Sequence, residues 1–321
     1  MNILITGGAG FIGSHLAEYL IRHKQHVYIV DDLSTGSIDN LITIQNSPFL
    51  HFFKDSLLNE SLINKLINCV DHIYHLAATV GVQLVLQKPI QTIHNNLFCT
   101  EIILKYASQK RKKVLITSTS EVYGKSTKRI FSENDDLILG PTIKSRWSYA
   151  CSKIIDEHLA LAYFKETVAP VIITRLFNTV GERQTGRYGM VIPRFIKQAV
   201  SNKDITIYGN GLQSRCFCYV QDVVWALVRL MNHPGTVGQI YNIGSNENIT
   251  INKLADKIII ITESRSKKIY IPYNEAYDED FEEIMYRAPD IRKISKLIGF
   301  KPKHDLNTII TKIKNYFQKN I

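Results

Sequence analysis

The chain has 321 residues, 45% of them hydrophobic, which is typical of a globular protein with one large core or two modest ones. No eighteen uncharged apolar residues run together and no basic, apolar leader with a cleavage site is visible, so the sequence predicts neither a membrane span nor a signal peptide and favours the cytoplasm. The net charge of +10 comes from scattered lysines and arginines without a nucleic-acid-binding motif, so we expect small anionic partners and no nucleic acid.

Five cysteines are scattered through apolar or strand-like segments: Cys69, Cys99, Cys151, Cys216 and Cys218. An odd number in this context predicts reduced thiols rather than a disulfide framework. Cys216 and Cys218 would share one face of a strand, but no second Cys or His pair completes a zinc set, so no metal site is predicted.

Apolar, β-branched runs alternate with helical segments through the first half of the chain. In chain order the sequence predicts strands at 2–6, 26–31, 49–55, 71–77, 113–119 and 170–178, with helices at 14–23, 63–69, about 92–108 and about 149–164. Alternation of this kind implies right-handed crossovers, so the predicted fold class is α/β with a doubly wound parallel Rossmann sheet.

The alternation of strands and helices stops after Asn178, where segments interrupted by Gly, Arg and Pro begin. A strand-like run at 239–245 returns to the sheet, so the second lobe is expected to be discontinuous. The predicted division is a larger domain at 1–178 plus about 217–245, and a smaller C-terminal lobe at about 179–216 and 246–321.

A glycine-rich turn, TGGAGFIGSH, follows the first predicted strand and opens a helix. Gly7 allows a tight turn, Gly10 lets the backbone approach a pyrophosphate, and Gly13 lets the helix pack close to the sheet. Three glycines alone are a weak signal, and the alternative is a turn without a ligand. The flanking strand and helix favour a dinucleotide site.

Acidic and small residues at the ends of the next strands fit the same ligand. Asp31 ends the second strand and would accept hydrogen bonds from both ribose hydroxyls of NAD, while repelling the extra phosphate of NADP. Asp55 could hold the adenine, and the small residues of HLAA at 75–78 would let the dinucleotide lie over the fourth strand.

Tyr149 and Lys153 stand four residues apart at the start of a predicted helix and therefore share one face. Tyrosine titrates near pH 10, so as a base at neutral pH it needs a neighbouring cation, which Lys153 can supply while also reaching the nicotinamide ribose. Such a base would take a proton from a sugar hydroxyl while NAD oxidises the same carbon. The pattern is common by chance, but its place after a dinucleotide loop favours chemistry over a helical surface pair.

Over nearly its full length the chain resembles the extended short-chain dehydrogenase/reductase family, through TGGAGFIG, DDLSTG, HLAA, NNLFCTE, STSEVYG, YACSK and RLFNTVG. Within that family it is most similar to nucleotide-sugar enzymes, especially UDP-glucuronate decarboxylases, including the UDP-xylose synthase type and the decarboxylase domain of polymyxin resistance. That likeness lies in STSEVYG, GPTIKSRWSYACSK, GLQSRCFCYVQD and the acidic segment YDEDFEEIMYRAPDI, whose acids would otherwise be read as a solvated surface loop.

The resemblance implies roles for individual positions. It extends the NAD site to Gly7, Gly10, Phe11, Ile12, Gly13, Asp31, Asp32, Asp55, Leu76, Ala77, Ala78, Asn95, Tyr149 and Lys153. It assigns the nucleotide sugar to the smaller lobe, with contacts from Asn178, Tyr208, Arg215 and Arg287. One departure is visible, because Glu182 in GERQTG stands where relatives usually have proline.

Members of the family share oxidation of the sugar at carbon 4 and then diverge. Dehydratases usually carry an Asp-Glu pair after the Ser or Thr, and simple epimerases carry a small or hydroxyl residue there. This chain has Ser120 and Glu121, which matches the decarboxylase pattern better, although some dehydratases share it.

Oxidation at carbon 4 turns a hexuronate into a β-keto acid, whose loss of carbon dioxide leaves an enolate that Tyr149 and the Thr119 and Ser120 hydroxyls can stabilise. Arg215 matches an arginine placed near the carboxylate in decarboxylases, and its alternative role is a diphosphate clamp. Glu121 would orient the carboxylate or, with a raised pKa, favour its departure; its alternative role is a surface acid at a strand end.

Three other functions stay open on the sequence. The first is a 4-epimerase acting on the same uronate, the second is a 4,6-dehydratase, and the third is a catalytically silent NAD-sensing protein, against which the intact Tyr149 and Lys153 argue. The resemblance also implies a homodimer through the helices near 92–108 and 149–164. Apolar positions on those helices are compatible with a dimer or with packing on the sheet: Ile102, Ile103, Ile154 and Leu159.

Overall fold

The computed structural model describes residues 1–79, 81, 87–186, 190–276 and 282–319. Its strands are β1 (Asn2–Thr6), β2 (His26–Val30), β3 (Leu50–Phe53), β4 (His72–His75), β5 (Lys113–Thr119), β6 (Ile130–Phe131), β7 (Val171–Leu176), β8 (Thr179–Val180), β9 (Ile205–Tyr208), β10 (Ser214–Cys216), β11 (Cys218–Tyr219), β12 (Gln239–Ile243), β13 (Asn248–Thr250), β14 (Lys268–Ile271) and β15 (Ala288–Pro289). Its helices are α1 (Phe11–Arg22), α2 (Glu60–Cys69), α3 (Pro89–Gln109), α4 (Trp147–Thr167), α5 (Val191–Val200), α6 (Val220–Asn232), α7 (Ile251–Thr262), α8 (Tyr273–Ala276), α9 (Arg292–Ile298) and α10 (Leu306–Lys319). Short 3-10 turns lie at Ile38–Leu41, Ser120–Tyr123 and Pro234–Thr236.

The central sheet has seven parallel strands in the order β12-β7-β5-β4-β1-β2-β3. The order reverses direction at β1, which is the arrangement of a doubly wound Rossmann sheet. The predicted fold class is confirmed, and so is the return of the chain to the sheet near residue 240, because β12 pairs with β7.

Hydrophobic cores lie on both faces of this sheet. Along β1, Ile3 and Ile5 belong to one core and Leu4 to the other. Helices α1 and α6 cover the first face, and α2, α3 and α4 cover the second. Since successive side chains of a strand point to opposite faces, near-continuous apolar runs are what a sheet covered on both sides requires.

A smaller lobe forms from two separate stretches of the chain. Helices α5, α7 and α10 pack against one another, β14 pairs with β9, and β13 pairs with β10. The lobe is therefore discontinuous, as the sequence indicates.

Helix positions agree with the predictions, and their ends differ by a few residues. Helix α1 begins at Phe11 rather than at residue 14, because the backbone is extended only as far as Gly10. Within the described residues, no helix is both long and apolar enough to cross a membrane.

The four apolar positions that were compatible with a dimer or with packing on the sheet pack inside the chain. Ile102 and Ile103 lie in the core between the helices and the sheet, Leu159 packs against that core, and Ile154 packs against a small cluster around Tyr123. These four positions therefore do not support a dimer.

Candidate active site

One cavity of about 530 Å³ brings together almost all the predicted site residues. It opens where β1, β4, β5 and β7 end, which is where open α/β sheets bind their ligands. The predicted residues that line it are Gly7, Gly10, Phe11, Ile12, Gly13, Asp31, Asp32, Asp55, Leu76, Ala77, Ala78, Asn95, Thr119, Ser120, Glu121, Tyr149, Asn178, Tyr208, Arg215 and Arg287. The remaining predicted residue, Lys153, is buried and does not line the cavity.

The glycine loop has the close backbone contacts that only glycine allows. Gly7 has a φ of +70°, and a Cβ on it would lie 2.8 Å from the backbone of Ala77. A Cβ on Gly13 would lie 2.2 Å from the carbonyl oxygen of Gly7. No side chain caps the N-terminus of α1 at Gly10, so the first N–H groups of the helix are available to an anion.

Acidic side chains stand at the ends of β2 and β3. The Asp31 carboxylate accepts hydrogen bonds from the backbone N–H groups of Ala9 at 2.9 Å and Leu33 at 2.8 Å. Burial raises the pKa of Asp31, although these two hydrogen bonds counteract part of that effect. Asp55 accepts from the Ser56 N–H at 2.7 Å and the Asn59 side-chain amide at 2.8 Å. The glycine-rich loop, the uncapped N-terminus of α1 and the carboxylate of Asp31 together fit NAD.

Tyr149 projects from the first turn of α4 into the cavity, where its hydroxyl is hydrogen-bonded with Thr119 at the end of β5. Burial raises the pKa of the Tyr149 phenol above its usual range, and the charge of Glu121 raises it further. The prediction that Lys153 gives this phenol a low pKa is therefore wrong for this structure. Lys153 forms an ion pair with a carboxylate on the same helix, that of Asp156, which lies 2.7 Å from the amine.

The 3-10 turn after β5 carries Glu121 into a cluster of arginines. The Thr119 hydroxyl accepts the N–H of Glu121 at 3.2 Å, which sets the direction of this turn. The Glu121 carboxylate is bonded to Arg287 and, at 3.1 Å, to Arg146. Burial by itself would raise the pKa of Glu121, but Arg287 and Arg146 outweigh it and lower that pKa to about 2. The alternative in which Glu121 is an acid with a raised pKa is therefore wrong.

A second carboxylate in the cavity is Glu283, which pairs with Arg215 at 2.5 Å. The other oxygen of Glu283 accepts a hydrogen bond from the Tyr273 hydroxyl at 2.9 Å. Burial lowers the pKa of Arg215, and the nearby Arg287 lowers it further. Glu283 belongs to the acidic segment that carries part of the family resemblance, and the alternative of a solvated surface loop does not hold for it, because its carboxylate lines the cavity and is paired with Arg215. Residues 277–281 of that segment lie outside the described residues.

Arg287 and Asn178 connect the two lobes at the floor of the cavity. The Arg287 guanidinium donates to the Asn178 side-chain carbonyl at 3.3 Å, and the Asn178 amide donates to the carbonyl of Cys216 at 2.9 Å. Farther along the cavity, the guanidinium of Arg194 lies 3.9 Å from the centre of the Tyr208 ring. This end therefore offers both cations and an aromatic face, which suit a diphosphate and a base.

Glu182, the departure noted in the sequence, has a clear structural role. Its carboxylate accepts hydrogen bonds from the Tyr219 hydroxyl at 3.0 and 2.9 Å, and its carbonyl oxygen lies 3.0 Å from Nε2 of His15. The turn that it anchors carries Gln184 into the cavity.

Three charged residues of the site region carry no role in the sequence-based prediction: Arg146, Glu283 and Asp156. Arg146 stands three residues before Tyr149 at the start of the same helix. This i, i+3 spacing places the two side chains on one face and could have identified Arg146. Glu283 gave no local signal, because its partner Arg215 is 68 residues away. Asp156 lies three residues after Lys153, and this i, i+3 spacing of opposite charges could have indicated the pair.

Among the described residues, no group of three or more His, Cys, Asp or Glu side chains is arranged to hold a metal ion. All five cysteines are free thiols, and Cys216 and Cys218 are buried.

Comparison with known proteins agrees with this geometry. A family model described as GDP-mannose 4,6 dehydratase matches residues 4–313. The chain is 42% identical over 301 residues to a UDP-N-acetyl-alpha-D-glucosaminuronate decarboxylase of Bacillus cytotoxicus, covering 93% of this chain and 92% of the relative. It is 35% identical over 325 residues to UDP-glucuronic acid decarboxylase 1 of Danio rerio, covering 100% of this chain and 73% of the relative. A crystal structure of UDP-glucuronic acid 4-epimerase from Bacillus cereus with UDP-glucuronic acid and NAD superposes with a TM-score of 0.90 at 29% identity, over 100% of both chains.

The fold and the cavity define a Rossmann-type dinucleotide-binding enzyme with a Tyr-x-x-x-Lys helix beside the cofactor loop. The chain belongs to the GDP-mannose 4,6-dehydratase-like branch of the extended short-chain dehydrogenase/reductase family.

Proposed function

We propose that this protein catalyses the NAD-dependent decarboxylation of a UDP-hexuronic acid, either UDP-glucuronate or a 2-acetamido relative. The reaction proceeds through a 4-keto sugar and gives UDP-xylose, its 2-acetamido counterpart or a UDP-4-keto-pentose. The two decarboxylases reported above, which match 93% and 100% of this chain, support this assignment.

The observation that carries the proposal is the cluster of arginines beside Tyr149. Arg146 and Arg287 contact the carboxylate of Glu121, and Arg215 contacts that of Glu283. A uronate brings a carboxylate to this part of the cavity, and guanidinium groups bind carboxylates through paired, charge-assisted hydrogen bonds. The cluster therefore favours an acidic sugar over a neutral one.

Proton transfer and stabilisation of the enolate are assigned to different side chains beside the cofactor. When bound, NAD supplies the oxidant for carbon 4 and, through its cationic nicotinamide ring, a positive charge near Tyr149. Tyr149, hydrogen-bonded to Thr119, takes the proton of the hydroxyl on carbon 4. After decarboxylation, the hydroxyls of Tyr149, Thr119 and Ser120 donate to the enolate oxygen.

Glu121 has a different part, because it stays ionised. Held by Arg146 and Arg287, its carboxylate fixes those two guanidinium groups around the sugar and repels the substrate carboxylate, which favours loss of that carboxylate as neutral carbon dioxide. When substrate binds, Arg215 releases the carboxylate of Glu283 and binds the substrate carboxylate or the diphosphate in its place.

The cofactor and nucleotide contacts follow the position of each residue along the cavity. Gly7, Gly10, Phe11, Ile12 and Gly13 would hold the pyrophosphate, Asp31 and Asp32 the adenosine ribose, Asp55 the adenine, and Leu76, Ala77, Ala78 and Asn95 the nicotinamide half. Lys153 would reach the nicotinamide ribose from below the cavity floor. Asn178, Tyr208 and Arg287 would bind the UDP portion.

The test is incubation with NAD and, separately, UDP-glucuronate and UDP-N-acetylglucosaminuronate, followed by measurement of carbon dioxide and mass spectrometry of the nucleotide product. We expect carbon dioxide release and a nucleotide sugar lighter by carbon dioxide alone, if carbon 4 is reduced again, or by carbon dioxide and two hydrogens, if the 4-keto pentose is the product and the cofactor keeps the hydride. Release of no carbon dioxide from either uronate would contradict the proposal.

Exchange of Tyr149 for Phe removes the hydroxyl that takes the proton and keeps the ring. We expect turnover to fall by at least about 100-fold, the usual contribution of a general base, with NAD still bound. The measurement is the formation rate of oxidised sugar, with NAD affinity determined by calorimetry as the control. Full activity in this variant would exclude Tyr149 as the base.

A UDP-uronate 4-epimerase is the second candidate, supported by the superposition on the Bacillus cereus epimerase. In that reaction the keto sugar turns over before it is reduced, and the carboxylate survives. An unchanged product mass with inverted configuration at carbon 4 would favour the epimerase over the decarboxylase.

The assembly and location of the protein are part of the proposal. The larger domain comprises residues 1–178 and about 217–245, and the nucleotide-sugar lobe comprises about 179–216 and 246–321. We propose a homodimer through α3 and α4, supported by exposed apolar residues on these helices: Ile90, Ile93, Phe98 and Ile155. We propose a cytoplasmic location, which free thiols and a nucleotide-linked substrate support.

A further inference from the structure

Lys153 and Asp156 form a fully buried ion pair on α4, beneath the cavity. The two side chains are 2% and 0% exposed, and Nζ of Lys153 lies 2.7 Å from Oδ2 of Asp156. Desolvation of two charges costs several kcal/mol per ion, and the attraction between the two ions offsets this cost only partly unless the geometry is good. Replacing either partner alone would leave an uncompensated buried charge. The proposed chemistry uses Lys153 but gives no role to Asp156.

The other titratable neighbours cannot compensate the Lys153 charge. Burial, followed by the charge of Lys153, lowers the pKa of His75 on β4 to about 3, so this imidazole is neutral. Burial raises the pKa of Cys99 on α3 to about 12, and the charges of Asp32 and Asp156 contribute to that rise.

On α4 itself, two further groups lie near the pair. Glu157 is already bonded to Arg175 at 2.7 Å, and Tyr149 is a neutral phenol. Within the part of the chain that the structure describes, Asp156 is therefore the carboxylate that balances Lys153.

A chain of hydrogen bonds across three elements holds the surroundings of Asp156 in place. Nδ1 of His75 lies 2.8 Å from the Thr6 hydroxyl on β1, and Nε2 lies 3.1 Å from the Thr100 hydroxyl on α3. Burial raises the pKa of the Asp156 carboxyl above its usual value, and Lys153 and then Thr100 counteract part of that rise. Oδ1 of Asp156 has no partner at normal hydrogen-bond distance among the described residues.

We propose that Asp156 is a positioning residue, whose carboxylate keeps the buried Lys153 amine protonated and holds it one helical turn below Tyr149. A lysine amine buried without a partner loses its proton, because burial disfavours the charged form. A deprotonated Lys153 would leave this position without a positive charge and so disfavour further the Tyr149 phenolate, which burial and Glu121 already disfavour. The catalytic consequence rests on the proposed function, whereas the protonation of Lys153 does not.

The first test uses the protein without ligand and therefore does not depend on turnover. Asp156→Asn keeps the shape of the side chain and removes its charge, and unfolding by urea is measured from about pH 7 to about pH 9.5. Without its partner, Lys153 has a lower pKa in the folded state than its value of about 10.4 in the unfolded chain. The unfolded state of the variant then binds more protons than its folded state, so its free energy of unfolding rises with pH. The difference in free energy of unfolding between wild type and variant, here called the deficit, should therefore shrink by about half from about pH 7 to about pH 9.5.

The matched control is Glu157→Gln, on the next position of the same helix. It also breaks a buried carboxylate pair, but its partner Arg175 stays charged throughout this pH range. Its deficit should therefore be independent of pH. An Asp156→Asn deficit that is equally independent of pH would overturn the proposal.

A double variant covers the case in which Asp156→Asn does not fold near neutral pH. Lys153→Met combined with Asp156→Asn removes both charges, and it should recover much of the stability lost by Asp156→Asn alone. A double variant no more stable than Asp156→Asn would overturn the proposal.

The second test is the pH profile of sugar oxidation. In Asp156→Asn the loss of activity at high pH should move about one pH unit or more toward neutrality, while Glu157→Gln keeps the wild-type profile. A profile unchanged by Asp156→Asn would overturn the catalytic role. Wild-type protein that turns over no uronate would refute the proposed function and leave the unfolding test intact.

Discussion

At the scale of single residues, the chemistry of this cavity depends on which charges surround each titratable group. Glu121 and Tyr149 lie side by side, but arginines lower the pKa of the carboxyl to about 2, while burial and that same carboxylate raise the pKa of the phenol. Glu121 is therefore a permanent anion and Tyr149 a phenol that needs a further positive charge before it can act as a base.

Exchange of Glu121 for Gln tests its role as an anion. Gln keeps the size of the side chain but leaves Arg146 and Arg287 without their carboxylate, so we expect the rate of carbon dioxide release to fall about 100-fold while oxidation at carbon 4 falls much less. Rapid-quench measurement of the 4-keto uronate and of carbon dioxide separates the two steps. Equal losses in both steps would refute the assigned role.

The low pKa of Glu121 also predicts how acid affects stability. Its folded-state pKa of about 2 is below the unfolded value of 4.5, so the ion pairs contribute stability above about pH 4.5 that is lost as the pH falls toward about 2. The stability difference between wild type and Glu121→Gln, measured by urea unfolding, should shrink across this window. A difference that stays constant would mean that the carboxylate is not held by the arginines.

At the scale of elements, strand ends and helix starts decide which residues meet. The loop between β1 and α1 meets the ends of β2 and β4, where the N–H of Ala9 bonds to Asp31 and Gly7 contacts the backbone of Ala77. The start of α4 brings Tyr149 to the end of β5, where Thr119 is. Parallel strands make these contacts possible, since all their carboxyl ends lie on one edge of the sheet.

Exchange of Asp31 for Asn tests the cofactor preference of this edge. The charged acceptor for the ribose is lost, together with the charge that repels the phosphate of NADP, so we expect the NAD affinity to fall about tenfold or more and the preference over NADP to narrow. Calorimetric titration with both dinucleotides measures this. Asp39→Asn, outside the cavity, is the control, and an unchanged NAD to NADP ratio in Asp31→Asn would argue against the ribose contact.

At the scale of the whole molecule, the site exists only because two lobes close on each other. Glu121 comes from the turn after β5 in the larger domain and Arg287 from the smaller lobe, 166 residues away. Arg215 comes from β10 and finds Glu283 in the same late segment. The charge balance of the cavity is therefore a property of the complete fold.

The proposed dimer is also tested at this scale. Phe98 on α3 and Ile155 on α4 are 41% and 42% exposed, and Asp at either position would place a charge in the proposed interface. We expect both variants to elute as single chains and wild type as a pair in size-exclusion chromatography with light scattering. Ile260→Asp, at an exposed position on α7, should leave the assembly unchanged, and a wild-type protein that elutes as a single chain would exclude the dimer.

Local patterns in the sequence were enough to predict the sheet, the cofactor loop and the residue types of the reaction. Hydrophobic periodicity is local, and glycine is required wherever the backbone comes too close for a Cβ, so β1 to β5, Gly7 and Gly13 could be read directly. Tyr149 and Lys153 could be paired because four residues along a helix is a fixed geometry.

The charge state of these groups and their contacts could be known from the folded chain alone. The partner of Glu121 and that of Arg215 lie 166 and 68 residues away, and the sequence contains no local pattern that connects them. The direction of a pKa shift depends on burial and on every charge packed around the group, which is why the low pKa expected for Tyr149 and the raised-pKa alternative for Glu121 were wrong. Local spacing thus specified the chemical groups, and long-range packing specified their ionisation.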